Sequence, residues 1–297
     1  MTEIIDGNAV AESVRADVSE AVDELEAAGV TPRLATVLMS TDPASETYVS
    51  MKQRDCEEVG IATEDVELDS EAPAEDLYDT IDELNDDDAV DGILVQMPVP
   101  DHVDDGRVLR SIDPVKDVDG LHPENIGRLV AGETRYKPCT PHGIQKLLAA
   151  VDVDTEGKDA VVIGRSRLVG KPMANLFVQK AGGGNATTTV CHSRTADLAE
   201  KTRGADILVA AAGVPEMVDA SMVSDGAVVV DVGINQVEAD TEKGYELVGD
   251  VDFESVREKA SAITPVPGGV GPMTRAMLLY NTVGAASRRS GVDVSLS

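Results

Sequence analysis

Lys52 lies in a helical pattern that opens with Asp42-Pro43, a pair suited to an N-cap and a first helical position. At about 100° per residue, Tyr48, Val59, Lys52, Ser45, Cys56 and Val49 fall within roughly 100° of arc. Glu46, Arg54, Glu57 and Glu58 lie elsewhere, with Asp55 at the edge of that arc. The spacing therefore puts Lys52 midway across the face that should be buried. Desolvation lowers the pKa of a lysine, which makes it usable for proton transfer near neutral pH. The other reading is a snorkelling lysine, its stem buried and its ammonium in water. The pattern leaves both open, and Tyr48, one turn earlier, would line the same cleft.

Two further segments fall where an open α/β sheet places ligands, beyond the carboxyl ends of its strands. Gln96 ends an apolar run, Gly92–Met97, just before Pro98, where its amide can bond a lysine or a polar ring. Asp117 and Asp119 lie in the loop Asp113–Leu121; in a chain this acidic, surface charge is the plain alternative for either. Gly268, Gly269 and Gly271 permit close backbone approach to a ligand, or simply a packed loop between domains.

Residues 160–175 run from an apolar strand through a turn at Gly164 into a helix from about Gly170. A strand, loop and helix start of this kind holds a diphosphate on helix N–H groups and the helix dipole. Ser166 takes the place of the second glycine of the common fingerprint, and Gly170 that of the last. The following strand, Thr187–Val190, ends in Cys191-His-Ser-Arg-Thr195, with no acid between Ala181 and Ala196. An acid at the end of that strand bonds ribose hydroxyls, whereas an arginine accommodates a 2′-phosphate. Ser193 and Arg194, with Arg165 in the glycine loop, thus point to NADP rather than NAD. A solvated arginine pair is the alternative.

The elements that must position these groups alternate between apolar strands and amphipathic helices, which argues α/β with parallel sheets. Helices are expected at 9–28, 43–59, 74–84, 103–111, 142–150 and 273–288. Strands are expected at 33–39, 62–68, 92–97, 160–163, 187–191, 206–210, 227–231 and 262–263. Two domains follow: residues 1–138, completed by a C-terminal helix over 272–290 that packs back on them, and a dinucleotide-binding, Rossmann-type domain over 141–266. Lys137–Pro141 reads as the linker, and the stretch after Leu121 as a polar connection.

The 297 residues carry 25 Lys and Arg against 55 Asp and Glu, a formal net charge of −30. Such a polyanion is a poor partner for nucleic acid or an anionic membrane. Low lysine and aromatic content with abundant acid fit a protein kept soluble in concentrated salt. Cys56, Cys139 and Cys191 are widely spaced, and the four histidines have no metal-type spacing. Neither a disulfide framework nor a metal site is expected, and reduced thiols with no signal peptide suggest the cytoplasm.

Several ordered motifs are shared with one family: Tyr48-x-x-x-Lys52, Val95-Gln-Met-Pro98, Lys116-Asp-Val-Asp-Gly-Leu121, Pro138-Cys-Thr-Pro141, Gly164-Arg-Ser166, Val230–Asn235, Gly249-Asp250 and Thr264–Thr274. Over residues 3–288 the chain closely resembles the bifunctional methylenetetrahydrofolate dehydrogenase/methenyltetrahydrofolate cyclohydrolases. The resemblance implies NADP-linked oxidation of methylenetetrahydrofolate to the methenyl form, then hydrolysis to formyltetrahydrofolate in the same cleft. It implies Lys52 as the catalytic lysine, Gln96 as its hydrogen-bond partner, Asp119 as a hold on the pterin ring and Tyr48 as a stacking group. Gly164, Arg165, Ser166, Ser193, Arg194 and Ile234 would bind the dinucleotide. The 264–274 loop, with Gly268, Gly269 and Pro272, would border both ligands. It also implies a homodimer formed through the cofactor domain.

The turn Gly182–Asn185 is looser than the family often has, which would shift 2′-phosphate contacts. The acidic surface would make binding of an anionic folate tail weaker or salt-dependent. Competing readings are a dehydrogenase without the hydrolytic step, a different NADP dehydrogenase acting on a small hydroxy acid, and a nucleotide-sensing module with an inert cleft.

Overall fold

The computed structural model describes residues 2–241 and 244–296. The elements run in the order β1 (Glu3–Ile4), α1 (Gly7–Ala27), β2 (Arg33–Leu38), α2 (Pro43–Val59), β3 (Ala62–Glu67), α3 (Ala74–Asp86), β4 (Gly92–Val95), α4 (Asp105–Ser111), α5 (Pro123–Ala131) and α6 (Cys139–Ala150). They continue with β5 (Asp159–Ile163), α7 (Gly170–Val178), β6 (Thr187–Cys191), α8 (Leu198–Thr202), β7 (Ile207–Ala210), β8 (Val228–Asp231), β9 (Asn235–Glu238), β10 (Tyr245–Val248), α9 (Phe253–Arg257), β11 (Ala262–Ile263) and α10 (Val270–Ser290). Two compact units result. One comprises the chain up to Ala11 with Thr140–Thr274, the other Glu12–Cys139 with the chain from Arg275.

In the second of these, three parallel strands lie in the order β3-β2-β4. β2 and β4 are buried almost throughout, as expected of parallel strands covered on both faces. Leu77, Ile81 and Leu84 of α3 pack with Ala35, Val37, Ile93 and Val95 of the sheet in one apolar core. Lys116, itself buried, donates to the carbonyls of Leu84, Asn85 and Asp87 and so caps the C-terminal end of α3. The helix from Arg275 onward completes this unit. Asn281 Nδ2 donates to Val118 O (2.7 Å) and Lys137 O (3.0 Å), Arg289 bonds Val90 O and Asp91, and Arg288 lies over the Tyr136 ring.

The other unit is built on six parallel strands in the order β1-β11-β8-β7-β5-β6. The chain steps outward from β5 to β6, then crosses back over β5 to β7. The loops after β5 and β7 therefore flank the reversal point, where open α/β sheets bind ligands. Val161, Ile163, Leu208, Ala210, Val229 and Ile263 share one apolar core beneath it.

Several boundaries differ from the sequence expectation. The first residues join the nucleotide-type unit, because β1 runs parallel to β11 with Glu3 opposite Ala262. The polar connection after Leu121 is in part the helix α5, whose N-terminal N–H at Glu124 is capped by His122 Nδ1 and which ends at a left-handed Gly132. The segment Lys137–Pro141, read as a linker, already contains the start of α6, and α10 begins at Val270 rather than Met273. In both cases a proline, Pro141 or Pro272, sits in the first helical turn, where its missing N–H leaves no bond unmade. The β9–β10 hairpin, Asn235–Glu238 against Tyr245–Val248, carried no apolar run strong enough to be read in advance.

Candidate active site

The helix that carries Lys52 starts where its sequence says it should. Asp42 Oδ2 accepts the Ser45 N–H at 3.3 Å and the Ser45 hydroxyl at 3.2 Å. Of the expected buried face, Ser45, Val49, Cys56 and Val59 are buried and Lys52 is partly so. Two positions depart from the expectation. Tyr48 is 36% exposed, so it stands at the rim of this face rather than within it. Asp55, placed at the edge of the arc, is only 7% exposed, because Arg275 of α10 meets it with Nη1 3.0 Å from Oδ2.

Lys52 Nζ donates to Gln96 Oε1 at 2.8 Å, and Gln96 Nε2 in turn donates to Met97 O at 2.7 Å. The second bond fixes which end of the amide faces the lysine. Gln96 is delivered by β4, whose last residue precedes it and whose register on β2 is continued by Gln96 N to Val37 O. Asp119 acts on Lys52 from the loop before α5. Burial holds the Lys52 ammonium below its ordinary pKa; Asp119 opposes that shift and Arg275 reinforces it. Burial likewise pushes the Asp119 carboxyl up, with Lys52 pulling it back. A lysine and a carboxyl that each dislike their charge, one amide away from a strand end, form a pair able to exchange or hold protons.

Asp117, singled out with Asp119, has a different job. It is buried and accepts from Leu121 N, His122 N and Asn125 Nδ2, so it folds the loop that presents Asp119. Cys139 went unrecognised. Its Sγ donates to Val118 O at 3.5 Å and accepts from Asn281 Nδ2, and Asp119 and Lys52 both act on it. The only sequence signal was the run Pro138-Cys-Thr-Pro141, which reads as a linker when no helix start is suspected.

In the β5–β6 unit, Gly164 has φ of +128°, and a Cβ there would lie 2.2 Å from Ala211 O. A Cβ on Gly170 would lie 2.2 Å from Gly164 O, so α7 starts directly against the turn. Ser166 Oγ accepts from Val169 N and Gly170 N, closing the loop. Arg165 and Ser166 are left exposed. Because Ile163 pairs with Cys191 and Gly164 N donates to Cys191 O, the loop lies beside the end of β6. There Ser193 and Arg194 are exposed on a turn held by Thr195 Oγ1 and His192 Nδ1. An exposed glycine turn at the reversal point of the sheet, with two arginines and no carboxylate beside it, can hold a phosphorylated nucleotide.

A pair of buried carboxylates, named in the shared motifs but given no role there, braces this unit. Asp250 accepts from Ala212 N, Gly213 N and Val214 N in the loop after β7, and from Asn235 Nδ2. Asp231, at the end of β8, accepts from Gly233, Asp250 and Val251, and burial pushes its carboxyl up to about 6. Ile234 next to them is 49% exposed, and a Cβ on Gly271 would make only an ordinary 3.8 Å contact with its Cδ1. Gly269 packs on its own loop, where a Cβ would lie 2.5 Å from Pro265 O. Packing thus accounts for that glycine without a ligand. Gly268, at φ of +101°, needs its glycine for the turn, and Pro272 is partly exposed in the first turn of α10.

Both halves of the chain match known families. Residues 5–119 match the tetrahydrofolate dehydrogenase/cyclohydrolase catalytic domain, and residues 138–290 the NAD(P)-binding domain of the same family. The bifunctional protein FolD 1 of Haloarcula marismortui is 73% identical over 296 residues, covering all of both chains. Among solved structures, the bifunctional methylenetetrahydrofolate dehydrogenase/cyclohydrolase of Campylobacter jejuni is 47% identical, with a TM-score of 0.92 over 97% of this chain and 100% of that one. The methylenetetrahydrofolate dehydrogenase-cyclohydrolase of Trypanosoma brucei, complexed with NADP cofactor and inhibitor, is 39% identical, with a TM-score of 0.92 over 98% and 99%.

Proposed function

Because this chain belongs to the tetrahydrofolate dehydrogenase/cyclohydrolase family, we propose that Lys52, Gln96 and Asp119 carry its chemistry. The chain is a bifunctional methylenetetrahydrofolate dehydrogenase and methenyltetrahydrofolate cyclohydrolase. It oxidises 5,10-methylenetetrahydrofolate with NADP and hydrolyses the resulting 5,10-methenyl cation to 10-formyltetrahydrofolate. The observation that best supports these residue roles is the 2.8 Å bond from Lys52 to Gln96 at the end of β4, with Asp119 acting on the same ammonium.

NADP supplies the hydride acceptor for the methylene carbon, a transfer that needs alignment rather than a protein nucleophile. Hydrolysis adds the oxygen of water to the methenyl carbon and breaks that carbon's bond to N5. Of the water's two protons, one ends on the released N5 and the other must go to a base. Lys52, its pKa held down by burial, takes that proton in its neutral form. Gln96 Oε1, itself fixed through Met97 O, orients the amine. Asp119 accepts hydrogen bonds from the donor edge of the pterin ring, and Tyr48, exposed at the rim, stacks along the folate.

Ser166, the Gly164–Gly170 backbone and Ile234 hold the dinucleotide, and Arg165, Ser193 and Arg194 take its 2′-phosphate. Replacing Arg165 and Arg194 together by alanine is expected to raise the KM for NADP by roughly ten- to a hundredfold, since a charge-assisted bond contributes about 1.5–3 kcal/mol. The KM for NAD should stay within about threefold, as general tolerance to surface change allows. Parallel losses with both cofactors would remove the arginines from 2′-phosphate recognition.

The functional assay follows NADPH and methenyl absorbance together in concentrated KCl. NADPH formation with little methenyl build-up supports both activities; accumulating methenyl leaves a dehydrogenase alone. No helix among the described residues is long and apolar enough to cross a membrane. Three buried, unpaired thiols suit a reducing cytoplasm. A homodimer through the cofactor unit is supported by β6, whose outer edge pairs with no strand among the described residues, and by exposed Val178 and Val190 near it. Val190→Lys is expected to yield monomers by sedimentation; an unchanged sedimentation coefficient would move the interface elsewhere.

A further inference from the structure

The turn of α2 that carries Lys52 also carries Asp55, three residues later and so on the same side of the helix. Asp55 is nearly buried, and its contact is the guanidinium of Arg275 on α10, at 3.0 Å. The two side chains are 10% and 16% exposed, whereas the described ion pairs of α3, α4 and α9 lie at the surface. Salt screens those exposed pairs, but it reaches a buried one far less.

We propose that Arg275 is a positioning residue for Lys52, held in place by Asp55: the ion pair locks the Lys52 turn of α2 to α10 and keeps a positive charge on the side of the helix that carries Lys52. The inference rests on Lys52 being the proton acceptor in hydrolysis. Four charged or titratable groups act on Lys52 from the elements around it: Asp119 from the loop before α5, Cys139 from α6, Cys56 from its own helix and Arg275 from α10. Asp119 favours the ammonium and Arg275 disfavours it, while burial pushes both thiols up, so they stay neutral and add no charge. Arg15, Arg54 and Glu58 also act on Asp55. Asp55 holds the guanidinium at this face, and the guanidinium opposes the upward shift that burial imposes on the Asp55 carboxyl.

The device has a directional consequence. If the neutral amine is the base, hydrolysis falls off on the acid side as Lys52 becomes protonated. Removing the Arg275 charge lets Lys52 hold its proton to higher pH, so the acid limb of the cyclohydrolase kcat profile moves up.

The test is that profile for four proteins: wild type, Arg275→Met, Arg275→Lys and Arg275→Met combined with Asp55→Asn. The Met variant is expected to shift the limb upward by roughly one pH unit, the size of a single charge interaction in a partly screened site. Arg275→Lys, which restores the charge, is expected to return the limb most of the way. The double variant should shift no further than Arg275→Met alone, since Asp55 acts through the arginine. A limb unmoved in the Met variant, or additive shifts in the double variant, overturns the proposal. Arg275→Gln replaces the Met variant if melting curves show that protein unfolded. Lys52→Met serves as the separate control. If that variant still hydrolyses the methenyl compound, the role given to Lys52 fails; if it does not and the limb is unmoved by Arg275→Met, only the role of Arg275 fails.

Discussion

Lys52→Met is expected to lower cyclohydrolase turnover by about a hundred- to ten-thousandfold, the range lost with a positioned general base. Dehydrogenase turnover should fall much less, because hydride transfer asks nothing of a base. Methionine is close to lysine in length, so the α2 face stays filled while the charge goes. The same substitution should stabilise the fold. Burial lowers the folded pKa of Lys52 beneath its unfolded value of 10.5, so the unfolded chain binds the proton more tightly. Stability therefore rises with pH through the window between the lowered value and 10.5, and below that window the full cost of the buried charge is paid. Lys52→Met removes both the cost and that rise. A variant with lower activity and a higher melting temperature would mark a residue kept for chemistry at the expense of packing. Unchanged hydrolysis would return the lysine to the snorkelling role that its sequence pattern allows.

Asp119→Ala carries the second large effect. The loop that presents Asp119 is held independently by Asp117, through bonds to Leu121 N, His122 N and Asn125, so the backbone should survive the change. What disappears is a carboxyl that acts on Lys52 and Cys139. If Asp119 accepts hydrogen bonds from the pterin ring, the folate KM should rise by roughly ten- to a hundredfold in both reactions, the worth of a charged hydrogen bond at about 1.5–3 kcal/mol. Asp119 also favours the Lys52 ammonium, so its loss lowers that pKa further and moves the acid limb of hydrolysis down. This is the opposite direction from Arg275→Met, and the two variants together bracket the lysine. A KM within about twofold of wild type, inside the ordinary scatter of surface substitutions, would mean the carboxylate does not hold the ring.

The residues that make up the proposed site were unevenly legible. Lys52 stood out because helical periodicity is local, and a charge on an apolar arc contradicts the arc. Tyr48 was placed too deep by the same reasoning, since an arc says which side of a helix a residue faces but not how far the neighbouring elements reach over it. Asp55 was left at the edge for the converse reason: its burial depends on Arg275, which lies 220 positions away along the chain, as 275 and 55 show. Gln96 was legible as a strand end before a proline. Its bond to Lys52 was not, being set by the register of β4 on β2 and the approach of α2. Lys116 and Lys52 look alike in the sequence. Only the fold separates a lysine whose three donors cap a helix from one that faces an amide and a carboxyl.

The parallel α/β class, most of the helices, the phosphate-type loop at Gly164–Gly170 and its lack of acids were determined by the sequence alone. Those features rest on periodicity, on turn chemistry and on which residues are absent, all of which are local. Tertiary structure decided that β1 completes the six-stranded sheet, that Asp231 and Asp250 gather the N–H groups of the loops on either side of Ile234, and that Arg275 meets Asp55. Each of those depends on groups far apart in the chain being brought within hydrogen-bond or Coulomb range, and on the burial that then shifts their charge. No spacing along a chain carries that information, because desolvation belongs to the packed assembly and not to any one segment of it.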